Sequence, residues 1–350
     1  MILNGQDPQA IVQAAKVLQR GDLLGLPTET VYGLAADAGQ DAAVQKIFAA
    51  KGRPSNHPLI VHVAQAADVS RFASHVPTFA QALMDAFWPG PLTLILPRRA
   101  GVAAVAAGGQ DSVGLRCPSH PVAQAVLHQA QRLGVWGVAA PSANLFGRVS
   151  PTTAAHVAGE FDASLRVIDG GACEVGIEST IVDCTRDAPV LLRPGVLTPE
   201  QLSAACGVTV RISPALQGRL DEAAPRASGT LASHYAPNAK LRLMTPSDIA
   251  QALAALAHQA QGSSASNLGL IAVWLRTTTL QVPSALTQRV LSVPMPQEAA
   301  ACAHDLFAQL RRFDEQGASQ IWVEAPPAAP AWDGVRDRLM RAATPVDSID

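Results

Sequence analysis

From residue 1 to about 205, short apolar runs of β type alternate with alanine-rich stretches whose apolar residues recur at helical spacing. The runs Asp22–Leu26, Leu59–Val63, Leu92–Leu96, Val135–Ala140, Val167–Asp169 and Val190–Arg193 predict strands, and the stretches near 42–50, 78–86 and 121–132 predict helices. This alternation predicts an α/β domain over residues 1–205. Between 206 and 239 the periodicity gives way to Pro, Gly and Ser punctuation, which predicts an extended connection that is long for a passive loop. From 240 to 350 a second βα rhythm follows. Strands Lys240–Met244, Leu268–Leu275, Arg289–Val293 and Gln320–Glu324, with helices from Pro246 to about Gln261 and from Pro296 to Gln316, predict a small Rossmann-like sheet.

Composition agrees with two globular domains. The 350 residues are 48% hydrophobic and 15% charged, enough apolar material for two cores. Lys+Arg 26 against Asp+Glu 28 gives a net charge of -2, which excludes a polybasic nucleic-acid binder but leaves room for a local basic cleft. Five scattered cysteines, Cys117, Cys173, Cys184, Cys206 and Cys302, form no CxxC pair and predict reduced thiols in a cytoplasm. The start lacks a basic region followed by an apolar one, and no apolar run reaches the roughly 18–20 residues of a membrane span, so the chain is expected to be neither exported nor membrane-spanning.

Neither GxGxxG after a strand nor GxxxxGK[ST] is present. Polar clusters at strand ends stand in their place. Pro27-Thr28-Glu29-Thr30-Val31-Tyr32-Gly33 follows an apolar strand; it reads either as a capped strand-to-helix turn, with Thr28 or Thr30 as N-cap, or as two threonines and a tyrosine presenting hydroxyls to a ligand. Lys51, Arg53, Asn56, His57 and His62 crowd a Pro- and Gly-stiffened loop between a helix and a strand. They either complement the helix dipole or neutralise phosphate oxygens, and His62 taken alone reads as a core histidine. Ser112 and Arg116 on one strand join Ser142, Asn144, Arg148 and Thr152, where an arginine suited to a carboxylate accompanies neutral donors, or where Asn/Ser turns merely precede a helix starting at Pro151. Glu178-Ser179-Thr180 and Leu192-Arg193-Pro194 read as a hairpin-like strand pair, and no GxSxG elbow supports a serine hydrolase.

Taken in order, PTETVYGLAADA, KGRPSNHPLIVHV, FWPGPLTLIL, VGLRCPSHP, APSANLFGRVSPT, GIESTIVD, LLRPG and, at 233–237, SHYAP resemble the YrdC-like threonylcarbamoyl-AMP synthase family in its two-domain form. The resemblance covers residues 10–205 and the linker motif; Gly334–Ala343 resembles that family's closing helix, while SGTLASHYAP departs from the PGMKYRHYAP-type linker of many relatives. It implies a twisted mixed-sheet domain with a concave site, followed by a linker or lid and a Rossmann-like domain. The activity implied is formation of L-threonylcarbamoyladenylate and pyrophosphate from L-threonine, bicarbonate or CO2, and ATP with its Mg2+. The product would pass to a tRNA threonylcarbamoyl transferase complex, to modify adenosine beside the anticodon of tRNAs reading ANN codons, with no stable tRNA binding by this chain. Carried onto matching positions, threonine meets Thr30, His62, Arg116, Ser142 and Ser179, and ATP meets Arg53, His57, Ser112, Asn144, Thr152, Arg193, His234 and Tyr235. Lys51 and Arg53 act in the chemistry, and no residue set is implied as a dedicated metal site.

Such chemistry needs cations and no covalent nucleophile, because a carbamate oxygen attacks the α-phosphate. An RNA-binding module without ATP turnover is the rival reading, and 4% aromatic residues with no basic run weigh against it. A hydrogenase-maturation carbamoyl-adenylate enzyme would need zinc-finger cysteines that are missing from this sequence.

Overall fold

The computed structural model describes residues 1–230, 234–260, 269–277 and 280–343, so Ser233, Gln261 and Leu268, at the edges of sequence-predicted features, lie outside it. The chain forms two compact units, Met1–Phe146 with Ser150–Leu231, and Gly147–Val149 with Ala232–Asp350.

The first unit runs β1 (Ile2–Asn4), α1 (Pro8–Gln19), β2 (Leu24–Leu26), β3 (Gly33–Asp37), α2 (Asp41–Lys51), β4 (Ile60–His62), α3 (Thr78–Phe87), β5 (Leu92–Pro97) and β6 (Ser112–Arg116). It continues through α4 (Pro121–Arg132), β7 (Val138–Ala139), α5 (Ala154–Glu160), β8 (Arg166–Asp169), β9 (Thr180–Asp183), β10 (Val190–Arg193), α6 (Pro199–Cys206) and β11 (Arg211–Ile212). Its strands form one mixed sheet in the order β1-β8-β2-β3-β7-β4-β6-β5-β9-β10-β11.

Strand alternation divides the core between the two faces of this sheet. Leu34, Ala36, Val61, Leu94, Leu115 and Val182 pack on one face with Val44 and Ile47 of α2, Leu83 of α3 and Leu202 of α6. Leu24, Leu26, Ala35, Val138 and Ile168 pack on the other with α1 and α4, and the strand residues of that cluster come from β2, β3, β7 and β8. His62 pairs with Val138 and also with Arg116, so the second face continues onto β4 and β6 beyond that cluster. There it carries Ile60, His62, Gly114, Arg116, Thr93, Ile95 and Ile181. This half-face carries His62 and Arg116, two of the candidate residues.

Arg193 reaches it through a backbone irregularity. Leu191 pairs with Val182 and Arg193 with Ile181, so Leu192 is an extra residue in β10 and the bulge turns Arg193 toward the face of Ile181.

Several sequence expectations change. Residues 27–32 join β2 to the antiparallel β3 rather than to a helix, so neither Thr28 nor Thr30 is an N-cap; the Gly-Leu-Ala-Ala-Asp run of β3 lacks the β-branched residues that mark strands. The helix expected at Pro151 starts at Ala154, where the Thr153 side chain accepts from the His156 amide. Helix α1 was not predicted, although Asp7 capping the Gln9 amide and Pro8 in the first turn are start signals. The stretch 206–230 is packed rather than extended. β11 joins β10, Arg186 bridges Asp183 and Asp221, and Ala224 and Ala227 lie against Ile95, Ile181, Val190 and Leu192.

The second unit contains β12 (Lys240–Met244), α7 (Pro246–Ala260), β13 (Leu270–Leu275), β14 (Val290–Pro294), α8 (Ala299–Glu315), β15 (Ala318–Glu324) and α9 (Asp333–Ala342). Its strands lie in the order β12-β15-β13-β14 and all pair parallel, as a Rossmann-like sheet requires. Ile249 and Leu253 of α7 pack on Ile271, Val273 and Trp322.

Candidate functional site

The loop between β2 and β3 is folded inward. Thr28, Glu29, Thr30 and Tyr32 are all buried. Thr28 Oγ1 accepts from the Val31 amide at 3.2 Å and lies 2.8 Å from Thr30 Oγ1. Arg116, at the end of β6, donates from Nη1 to Thr30 Oγ1 at 2.8 Å and from Nε to the Gly90 carbonyl at 3.3 Å, while Nη2 lies 2.7 Å from Glu29 Oε1. Sequence reading had passed over Glu29. Nothing in one sequence separates a buried carboxylate from an exposed turn residue. Tyr32 does not present its hydroxyl to a ligand: it donates to the Gly171 carbonyl at 2.7 Å and accepts from the Gly170 amide, and burial raises its pKa.

His62 neighbours Arg116 across β4 and β6. Burial first, then the Arg116 charge, lowers its pKa to about 3, so the ring is neutral at physiological pH. Its Nδ1 has no hydrogen-bond partner among the described residues.

A second group gathers where α2 ends. Lys51 is 3% exposed, and its Nζ donates to the carbonyls of Ser142, at 2.6 Å, and of Asn144. Its own carbonyl accepts from the Phe146 amide at 2.9 Å, so main chain and side chain together clasp the 142–146 loop. Lys51 therefore does more than complement a dipole. Burial, then the charge of Arg53, lowers its pKa to about 7. Arg53 donates to the Pro58 carbonyl at 3.1 Å and lies 5.7 Å from the centre of the Phe146 ring, which meets His57 edge-on at 5.5 Å. Burial and the charges of Arg53 and Arg226 lower the His57 pKa. Phe146 is a second residue that sequence reading did not select.

Ser179 and Arg193 form the third group. The Arg193 guanidinium donates to the Ser179 carbonyl from Nη2 at 2.8 Å and to Ser179 Oγ at 3.1 Å, and Ser179 Oγ lies 2.7 Å from Thr93 Oγ1. These partners are not those of a hydrolytic serine. Arg193 Nη1 also donates to the Ser228 carbonyl, and Ser228 Oγ donates to the same Pro58 carbonyl that Arg53 uses. Gln110 and Arg226 exchange hydrogen bonds, so the 226–228 segment is fastened beside Ser112, Thr93 and Ile181 in one narrow cleft.

Asn144 is buried and donates to the Leu145 carbonyl, and Thr152 lies beside His156. His234 and Tyr235 belong to the second unit. Their rings pack at 4.1 Å, Tyr235 lies against Phe307 with the Arg338 guanidinium 5.4 Å from its centre, and its φ of 63° is unusual for a residue other than glycine. Among the described residues, no group of three or more His, Cys, Asp or Glu is placed to hold a metal ion, and no helix is long and apolar enough to cross a membrane.

These features define a two-unit α/β protein that gathers arginine, lysine and hydroxyl side chains, rather than a glycine-rich loop, at a mixed sheet. Comparison with known proteins narrows the class. Residues 16–195 match the Sua5, YciO and YrdC family model, described as "Telomere recombination", and residues 197–344 match the model for the C-terminal domain of threonylcarbamoyl-AMP synthase. The threonylcarbamoyl-AMP synthase of Bacillus subtilis is 37% identical over 97% of this chain and 94% of its own length. That of Pyrococcus abyssi is 44% identical over 65% of this chain and 66% of its own. The crystal structure of P. abyssi Sua5 complexed with L-threonine superposes with a TM-score of 0.85 at 34% identity, over 98% of this chain and 97% of that one. The chain belongs to the Sua5/YrdC family, in the two-domain form of the threonylcarbamoyl-AMP synthases.

Proposed function

We propose that this protein joins L-threonine, CO2 or bicarbonate, and ATP into L-threonylcarbamoyladenylate, releasing pyrophosphate, and that the half-face described above is where it does so. The observation that carries this assignment of the site is that Arg116 and Arg193 stand on one half-face of the sheet, where Arg193 holds Ser179 and, through Ser228, reaches the Pro58 carbonyl that Arg53 also uses, outside any phosphate loop.

Arg116, steadied by Thr30 and Glu29, takes the threonine carboxylate, with Thr30, His62, Ser142 and Ser179 around the rest of the amino acid. The neutral amine adds to CO2 and loses a proton, giving a carbamate. One carbamate oxygen then attacks the α-phosphorus of ATP, and the bond to the bridging oxygen of pyrophosphate breaks. Lys51, Arg53 and Arg193 oppose the negative charge of the phosphates, and His57, Ser112, Asn144 and Thr152 surround the nucleotide. A Mg2+ ion brought with the nucleotide would offset part of the triphosphate charge that Lys51, Arg53 and Arg193 oppose. Water exclusion matters as well, since carbamates and acyl adenylates hydrolyse. The adenylate then passes in the cytoplasm to a tRNA threonylcarbamoyl transferase complex.

The test is pyrophosphate release from ATP. It should require both threonine and bicarbonate, and serine should give a kcat/KM about 10–100-fold lower, since a pocket that fits the methyl group loses about 1–3 kcal/mol without it. Turnover without threonine, or equal turnover with serine, refutes the reading.

A further inference from the structure

Glu29 is 3% exposed, and its Oε2 has no hydrogen-bond partner among the described residues. A buried carboxylate oxygen without a donor is costly, and a structure retains one when a ligand supplies the missing partner. The other oxygen, Oε1, lies against Arg116. Arg116 has five N–H donors, of which one goes to Gly90, one to Thr30 and one faces Glu29, leaving two for an incoming anion. A carboxylate acceptor and a guanidinium donor thus stand side by side, the complement of a ligand that bears an ammonium and a carboxylate on one carbon atom.

From this geometry we infer that Glu29 receives the α-ammonium group of the amino-acid substrate, its Oε2 accepting an N–H while Arg116 holds the carboxylate. The inference rests on the threonine reading above and adds to it the group that recognises the amine. The neighbouring uncharged Thr28 and Thr30 have no comparable preference for a cation. The reacting nitrogen is thereby fixed at one end of the site.

Calorimetry with threonine and with its 2-hydroxy analogue, in which hydroxyl replaces ammonium, tests this on the full chain. A charge-assisted hydrogen bond of about 1.5–3 kcal/mol predicts that the native protein binds threonine about 10–100-fold more tightly than the analogue. In Glu29→Gln that preference should fall to about threefold or less, with ATP affinity unchanged, because the amide no longer favours a cation over a hydroxyl. A native protein that binds both molecules equally, or a Glu29→Gln variant that keeps the full preference, overturns the inference. If Glu29→Gln does not fold, Glu29→Asp replaces it: the retained charge should preserve the preference at lower affinity for both molecules, and loss of the preference overturns the inference. A native protein that binds ATP but neither threonine nor the analogue fails the threonine reading itself, a pattern distinct from all of these.

Discussion

The two ends of the site solve opposite electrostatic problems with the same residue types. At the β6 end, the Arg116 charge is matched by the buried Glu29 carboxylate 2.7 Å away, and neutral His62 and Thr30 fill the surroundings. At the α2 end cations cluster: burial first, then the Arg53 charge, lowers the pKa of both Lys51 and His57, with Arg226 adding to the effect on His57 and Glu160 and Glu178 offsetting part of it at Lys51. A locally neutral corner suits a zwitterion, whereas a corner where cations oppress one another gains most from a polyanion that relieves them. The difference shows why an arginine in a site is not enough to name a ligand; its neighbours decide.

Removing charge from the crowded corner should have the largest effect. Lys51→Gln should lower kcat/KM for ATP by about 10²–10³, the scale of a lost donor to developing charge, while calorimetric affinity for threonine falls by much less, through loosening of the Ser142 carbonyl that Lys51 holds. A variant that loses threonine as strongly as ATP erases the distinction between the corners.

A moderate effect is expected at the neutral corner. Arg116→Lys keeps the charge and loses the planar fork, so the KM for threonine should rise about 10–30-fold with ATP affinity unchanged. An ATP defect larger than the threonine defect reverses the two assignments.

The smallest effect concerns acid stability and sharpens the contrast. The folded pKa of His62, about 3, lies below its unfolded value, so the unfolded chain binds more protons between the two. Stability attributable to His62 is therefore full above about pH 6.5 and is lost as pH falls toward 3. His62→Gln should lose fewer degrees of Tm than the native protein between pH 7.5 and 4.5, read by thermal melts. Equal losses mean that acid sensitivity resides elsewhere.

What was legible in the sequence divides along the same physical lines. His62 and Arg116 lie on apolar strands whose alternation was readable, and their shared face follows from that period. The two α/β units, the parallel rhythm of the second and the clustering of Lys51, Arg53 and His57 were readable for similar reasons. The role of Tyr32 stayed open because a hydroxyl that closes a turn on Gly171 looks, in sequence, like one awaiting a ligand. Arg193 owes its direction to an extra residue in β10, and a bulge leaves no mark in the hydrophobic pattern. The 206–230 segment hid its packing because Ala224 and Ala227 are small, and the charged pairs that fasten it, such as Arg186 with Asp221, are far apart in sequence.

One segment of three residues sets how this protein can be taken apart. Gly147–Val149 is assigned to the second unit, and Ala236 pairs with Arg148 and donates its amide to the Gly147 carbonyl. Genetic fission after residue 231 would therefore not yield two complete pieces. The N-terminal fragment would keep a short edge whose partner had gone, in the loop that carries Asn144 and Thr152, and the C-terminal fragment would lack part of its own fabric. The two fragments should accordingly behave as a split protein, each more stable in the other's presence.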